Sequence, residues 1–311
     1  AHLYGQKYVE AEAFTTTLLW QNGPVDLKQY ADRAMCEGLN SFVYHTFPHS
    51  PPEGGYPGWI YNFGTLINPN RTWWPKSAGF HNYLGRASYL LQEGHFVADI
   101  LYYYGDKAPN FVKPRGFGRY RGFGYDYDVC NTDILLNRLD VKDGKLVLPH
   151  GQQYSILVLP EEMRMNLQVA RKLKELAGKG AVILGDKPKT VYGLHNFQKE
   201  EEELRSVTEK LWSDEALIIS GKSEEAVLAD LGILPDIQVD EEPAIDFIHR
   251  RVGETEIYFI RNLRDEKITQ NVHFRVNNKI PEKWHPDSGK IVNIQCYQAS
   301  GTGTSIPLSC E

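Results

Sequence analysis

Glu10 and Glu12 stand two residues apart in YVEAEAFTT, residues 8–16, a run that otherwise reads as a strand. Strand side chains alternate between two faces. Glu10, Glu12 and Phe14 therefore share one face, and Val9, Ala11 and Ala13 the other. Ionised carboxylates are rarely buried without a partner or a use. On a barrel strand one parity faces the interior and the other faces the helices, where small residues such as Ala11 and Ala13 pack well. Glu10 and Glu12 would then point inward near the carboxyl end of the strand, where the active sites of such barrels lie. A structural ion pair and an exposed edge strand are the alternatives.

Two histidines follow in HTFPHS, His45 and His49, where a second strand enters a loop. They could orient a hydroxyl group of a ligand, bind a metal, or cap the strand. A spacing of four aligns side chains only on a helix, and Pro48 opposes one, so the metal reading is weak. Trp73 and Trp74, in NRTWWPK, offer aromatic faces on which sugar C–H groups stack, and aromatic burial is energetically large. One of such a pair commonly belongs to the core. In GRYRGFGYDYDVCNTD, residues 118–133, the glycines do not fit GxGxxG and no helix opens at them. The stretch reads as a connector. Asp126, Asp128 and Asp133 lack the EF-hand pattern for a cation.

The four cysteines, Cys36, Cys130, Cys296 and Cys310, form no CxxC pair, which disfavours a zinc site. Cys130 reads as the start of a helix in an acidic setting that discourages a thiolate. GxSxG is absent, so there is no nucleophile elbow.

These residues need elements to position them. Residues 1–16 read as a helix end and a strand. GPVDLKQYADRAMCEGLN gives a helix with Asp26 as N-cap, an apolar stripe of Leu27, Tyr30, Ala31 and Ala34, and Gly38 as the stop. NSFVYHTF is the next strand, so the order is that of a parallel α/β unit. Residues 48–76 form a long loop dense in Pro, Gly and aromatics, and such loops are usually functional when they are ordered. SAGFHNYLGRASYLLQEGH is a helix with Phe80, Tyr83, Leu84, Ala87, Leu90 and Leu91 on one side.

From residue 96 the alternation restarts: a strand at FVADILYYYG, a helix at NTDILLNRL, two strands in KLVLPHGQQYSILVLP, then helices and strands in turn to SEEAVLADLGI. This is a second open α/β sheet of flavodoxin-like character. From about residue 245 the pattern becomes antiparallel, with a hairpin across GETE and a turn at PDSG.

The chain has 311 residues, 41% of them hydrophobic, enough for a sizeable core and two or three domains. The net charge of −6 argues against nucleic acid as the main partner. No apolar run is long enough to span a membrane. The start reads like the interior of a longer chain, so a fragment is expected.

Several stretches, in order, resemble bacterial alpha-L-rhamnosidases of glycoside hydrolase family 106: AHLYGQKYVEAEAFT, LKQYADRAMCEGLNSFVYHTFPHSP, NRTWWPKSAGFHNYLGRASYLLQEGHFVADILYYYGD, DGKLVLPHGQQYSILVLPE and PEKWHPDSGKI. The resemblance implies an α/β multidomain chain in three pieces. Residues 1–95 would be the last strand-helix units of a (β/α)8, TIM-type catalytic barrel. Residues 96–240 would be a flavodoxin-like domain similar to class I glutamine amidotransferases, without their chemistry. Residues 245–311 would begin a β-sandwich. It also implies a secreted or periplasmic parent protein and a rhamnose-containing glycan as its partner.

The family's inverting mechanism uses two carboxylates, with calcium near the substrate in the complete enzyme and no cofactor expected in this fragment. The AEAF match places the base-like carboxylate at Glu12. The acid would lie on an earlier barrel strand, before residue 1. Glu10 hangs from the same wall as Glu12 and cannot easily flank a sugar with it, so it takes a substrate-contact role beside His45, His49, Trp73 and Trp74. Without the first six strands the isolated fragment is expected not to hydrolyse glycosides. The competing expectation is a non-catalytic carbohydrate-binding or assembly module. A flavin or nucleotide protein would need a phosphate loop that is not found.

Overall fold

The computed structural model describes residues 1–19, 21–112, 124–193, 196–213 and 218–310. They form two compact units. One comprises Ala1, Gln6–Gly94 and Val239–Glu311, and the other His2–Gly5 and His95–Gln238.

The first unit opens with strand β1, Glu10–Ala13, helix α1, Pro24–Cys36, and strand β2, Ser41–Tyr44. β1 and β2 pair in parallel, with Glu10 opposite Ser41 and Glu12 opposite Val43. Helix α2, Ala78–Leu91, follows the long loop. α1 starts three residues earlier than an N-cap at Asp26 would place it. Gly23 is the N-cap, Pro24 takes the first turn where a missing N–H costs nothing, and Asp26 sits at the third position. Its carboxylate accepts from Gly23 N at 2.9 Å, so it caps from inside the helix. Leu27, Ala31 and Met35 form the buried stripe of α1, while Tyr30 is exposed. Phe80, Tyr83, Leu84, Ala87 and Leu91 of α2 are buried, at the spacing the sequence showed.

The C-terminal residues of this unit are antiparallel strands. Ile245–Val252 and Thr255–Asn262 form a hairpin across Gly253 and Glu254. Ile268–Phe274 pairs with Thr304–Cys310, and Glu282–Trp284 with Ile291–Asn293. They are tied to the α2 end of the chain. Arg250 Nε donates to Glu93 O at 2.7 Å and its second nitrogen to Gly94 O at 2.7 Å. Arg86, on α2, donates to Pro286 O and Asp287 O, each at 2.9 Å.

The second unit is built on a five-stranded parallel sheet: Ile100–Tyr103, Tyr127–Cys130, Ile156–Val158, Val182–Leu184 and Ile218–Ile219. Numbered along the chain, these strands stand in the spatial order 2-1-3-4-5. Helices Thr132–Asn137, Leu167–Gly178, Phe197–Trp212 and Glu224–Asp230 connect or flank them. The first and third strands are buried throughout, as expected for a parallel sheet covered on both faces.

The connector reading of residues 118–133 is corrected here. Residues 118–123 lie outside the described residues, but Tyr127–Cys130 is a strand of the sheet. Its acidic residue is satisfied: Asp128 accepts from Tyr154 Oη at 2.7 Å and lies 3.2 Å from His2 Nδ1. Cys130 ends this strand instead of opening a helix, and burial pushes its thiol far above the ordinary value. Asn131 caps the helix that follows, accepting from Ile134 N at 3.0 Å. KLVLPHGQQYSILVLP yields three short strands, Lys145–Val147, Gln153–Tyr154 and Ile156–Val158, the first two in a small antiparallel sheet with Asp140–Lys142.

Candidate active site

The carboxylates of β1 share the face opposite the helix side of the sheet. Paired residues of a parallel ladder point the same way, so Glu10, Glu12, Ser41 and Val43 lie together. Ser41 Oγ donates to Glu10 Oε1 at 2.9 Å, as that register requires. Ala13, Phe42 and Tyr44 face the other way. Tyr44 Oη lies 3.0 Å from His81 Nδ1 of α2. Phe14 departs from the expected parity. Its φ of 68° turns the chain after Ala13, and its ring joins Phe42, Tyr44 and Phe80 in the core. Ala11 is exposed, so only Ala13 of the small pair packs inward.

Glu12 is exposed, and its Oε1 accepts from Thr15 Oγ1 at 3.0 Å. No cation bonds either carboxylate among the ion pairs of the described residues, so the structural ion pair does not form here. A carboxylate with a single hydroxyl neighbour keeps lone pairs free for water or substrate.

The long loop returns to the carboxyl ends of β1 and β2. Gly64 N donates to Thr16 O at 2.7 Å, Thr65 N to Phe14 O at 2.9 Å, and Thr46 N to Thr65 O at 3.1 Å. Ile67 N donates to Thr46 O at 2.9 Å. Thr65, Leu66, Ile67 and Asn68 are buried by this stitching. It brings Trp59, Ile60 and Tyr61 beside the end of β2. Together with His45, Thr46, Pro48 and His49 they line an open depression of about 380 Å³. His45 directly follows β2, its N–H donates to Ala13 O at 2.9 Å, and its ring meets Tyr61 edge-on at 5.5 Å.

His45 and His49 thus share one depression, and Glu10 and Glu12 share one face of the β1–β2 sheet. Trp73 and Trp74 do not line the depression. Trp74 packs edge-on against Phe47 at 6.0 Å and His81 at 5.8 Å, and Trp73 Nε1 is buried without a partner. The tryptophan that reaches the depression is Trp59. The richness of the loop in Tyr, Trp and Gly was the available signal, but no pairing or periodicity singled out residue 59. Burial lowers the pKa of His81 and raises that of Tyr44. Among the described residues no group of three or more His, Cys, Asp and Glu side chains is arranged to hold a metal ion. Among the described residues no helix is long and apolar enough to cross a membrane.

The chain is a member of glycoside hydrolase family 106, whose alpha-L-rhamnosidase family model matches residues 1–299. It is similar to the solved rhamnosidase of Novosphingobium sp. PP1Y, at 32% identity and a TM-score of 0.90, covering 99% of this chain and 31% of that one. A curated protein of Formosa agariphila bearing the name "Putative beta-glucuronidase" is 36% identical over 99% of this chain and 26% of its own length. The fold is also similar to a GH42 beta-galactosidase, Gan42B, at 12% identity and a TM-score of 0.53, over 91% of this chain and 51% of that one. The chain therefore spans about a third or less of the two relatives that share substantial sequence with it.

Proposed function

We propose that the protein is part of an inverting alpha-L-rhamnosidase in which Glu12 is the general base. The observation that carries this reading is the placement of Glu12. Its carboxylate is exposed, has no cationic partner among the described residues, and lies on the face of β1 and β2 that the helices leave open.

In inverting hydrolysis one carboxylic acid protonates the leaving oxygen while a carboxylate on the opposite side activates water, the two roughly 6.5–9.5 Å apart. Glu12 supplies the second role. Glu10 hangs from the same wall and is bonded to Ser41, so it contacts substrate or supports the wall. The acid belongs to a residue not assigned in this chain. His45 and His49 meet the sugar from the depression, and Trp73 and Trp74 support that wall. The substrate in this reading is a rhamnose-containing glycan met in the periplasm or outside the cell, with any calcium held by groups beyond those described.

The architecture is read in the same terms. β1, α1, β2 and α2 are strand-helix units of a (β/α)8 barrel. The parallel sheet in the order 2-1-3-4-5 supports a flavodoxin-like domain. The strands from Ile245 onward support a β-sandwich beginning.

The test is Glu12→Gln in the full-length protein, assayed on an aryl alpha-L-rhamnoside. Turnover is expected to fall by about 10²–10⁴-fold with the thermal midpoint unchanged. Turnover retained within a few-fold rules Glu12 out as the base.

A further inference from the structure

The depression that His45 and His49 line also holds an indole to which no role has yet been given. Trp59 is 58% exposed, with one side of its indole against the backbone of Gly54. Gly54 lies against its pyrrole ring, so that a Cβ there would stand 3.0 Å from Trp59 Cδ1 and Nε1. Gly58, just before it, has φ +92° and is hemmed in: a Cβ would come 2.5 Å from Asn70 Nδ2 and 2.8 Å from Ser50 Cβ. Two glycines thus allow the chain to present the indole with one side backed and the remainder open.

His45 is held in a similar way. Its Nδ1 is buried against Gly64 and has no hydrogen-bond partner. A proton there would be a buried donor without an acceptor, the more costly orphan, so the ring proton sits on Nε2. The depression then meets an N–H donor. The remaining lining residues are Thr46, Pro48, His49, Ile60 and Tyr61, with no Lys, Arg, Asp or Glu among them. An apolar face, a donor, and a lining without lysine or arginine suit a neutral ligand that carries both C–H surface and hydroxyls.

We propose that Trp59 and His45 form a subsite for a neutral pyranose unit, Trp59 stacking on its C–H face and His45 Nε2 donating to one of its hydroxyls. This rests on the reading that the Glu12 face meets sugar. It adds the residues that select the sugar, and it disfavours a uronate, whose carboxylate would find no cation here.

The test is calorimetric titration of the full-length protein with L-rhamnose, and with D-glucuronate as the charged comparison. Trp59→Ala is expected to weaken rhamnose binding about tenfold or more, and Trp59→Phe less, because a smaller ring still stacks. His45→Gln carries an amide nitrogen near the Nε2 position and is expected to bind within about threefold of the parent, while His45→Asn, which mimics Nδ1, loses about tenfold. Glucuronate is expected to bind more weakly than rhamnose. Unchanged affinity in Trp59→Ala, or a reversed order of the two His45 variants in proteins with parental thermal midpoints, overturns the subsite. Glu12→Gln separates the two ideas. Turnover surviving that change, with binding lost in Trp59→Ala, ends the catalytic reading and supports the subsite. Turnover lost there, with binding intact in Trp59→Ala, does the opposite.

Discussion

Gly64 lies so close to His45 that a Cβ on residue 64 would stand 2.5 Å from both the Nδ1 and the carbonyl oxygen of that histidine. Its φ is +91°, a region that side-chain-bearing residues enter at a cost. The same glycine donates to Thr16 O, so it cannot retreat without breaking the stitch between loop and β1. The position of His45 therefore depends on residue 64 having no side chain.

Gly64→Ala should accordingly destabilise the protein. The left-handed backbone alone costs about 1–2 kcal/mol, and the clash with a backbone oxygen adds to it. A urea midpoint lowered by that amount or more is the expected result. A midpoint equal to the parent's would mean that the loop shifts freely and that His45 is not pinned.

Tyr83 and Asp32 couple α2 to α1. Tyr83 Oη donates to Asp32 Oδ1 at 2.6 Å, and Lys28 Nζ reaches Oδ2 at 2.5 Å. Burial, reinforced by the Asp32 carboxylate, pushes the Tyr83 hydroxyl far above its ordinary value, so it is a permanent donor. Tyr83→Phe leaves a buried carboxylate oxygen short of a bond and should cost about 1–3 kcal/mol. Lys28 is half exposed, and Lys28→Ala should cost no more than about 1 kcal/mol. Denaturant midpoints of the two variants decide this, and a larger loss at Lys28 would show the network to be read in the wrong order.

Local pattern carried much of this architecture. The alternation in YVEAEA placed Glu10 and Glu12 on one face, and the helical spacing in residues 78–91 picked five buried residues of α2. Tyr127–Cys130 was missed because a four-residue strand in a parallel sheet has neither room nor need for alternation, and its acids resemble a loop until Tyr154 and His2 are seen beside Asp128. Trp59 was missed for a different reason. Its place depends on the loop folding back at Gly64–Ile67, a contact between residues distant in sequence that no local rule reports. The packing of residues 239–311 with residues 6–94 is non-local in the same sense.

Glu256 ties the Ile245–Asn262 hairpin across its strands. Its Oε2 lies 2.8 Å from His249 Nε2, and Arg251 Nε donates to its Oε1 at 2.7 Å. Burial alone would raise its pKa, but the bonds from His249 and Arg251 outweigh that and hold it below the ordinary carboxylate value. The folded state therefore binds the Glu256 proton less readily than the unfolded chain. The stabilisation is present above about pH 4.5 and is lost as pH falls through the lower folded value. Glu256→Gln should cost about 1–3 kcal/mol at pH 7 and progressively less in acid. A penalty that stays constant down to pH 3 would show that packing, not charge, is what the substitution removes.

His81 gives the opposite pairing of charge and burial. Burial among Tyr44, Trp74 and Phe80 lowers its pKa, since the imidazolium would lose water without gaining an anion. In the unfolded chain the ring takes its proton near pH 6.5, and in the folded protein only at lower pH. Between those values the unfolded state binds more protons, so stability rises with pH. Lowering the pH from neutrality through about 6.5 should therefore weaken the protein, and the loss should level off once the folded ring is also protonated. His81→Asn keeps a nitrogen near the Nδ1 position for Tyr44 and does not titrate. Its stability should fall less steeply between pH 7.5 and pH 5.5 than the parent's, though His150, whose pKa burial also lowers, keeps some slope in both proteins. Denaturant titrations at several pH values across that range measure the two slopes, and equal slopes would remove His81 as a source of the acid sensitivity.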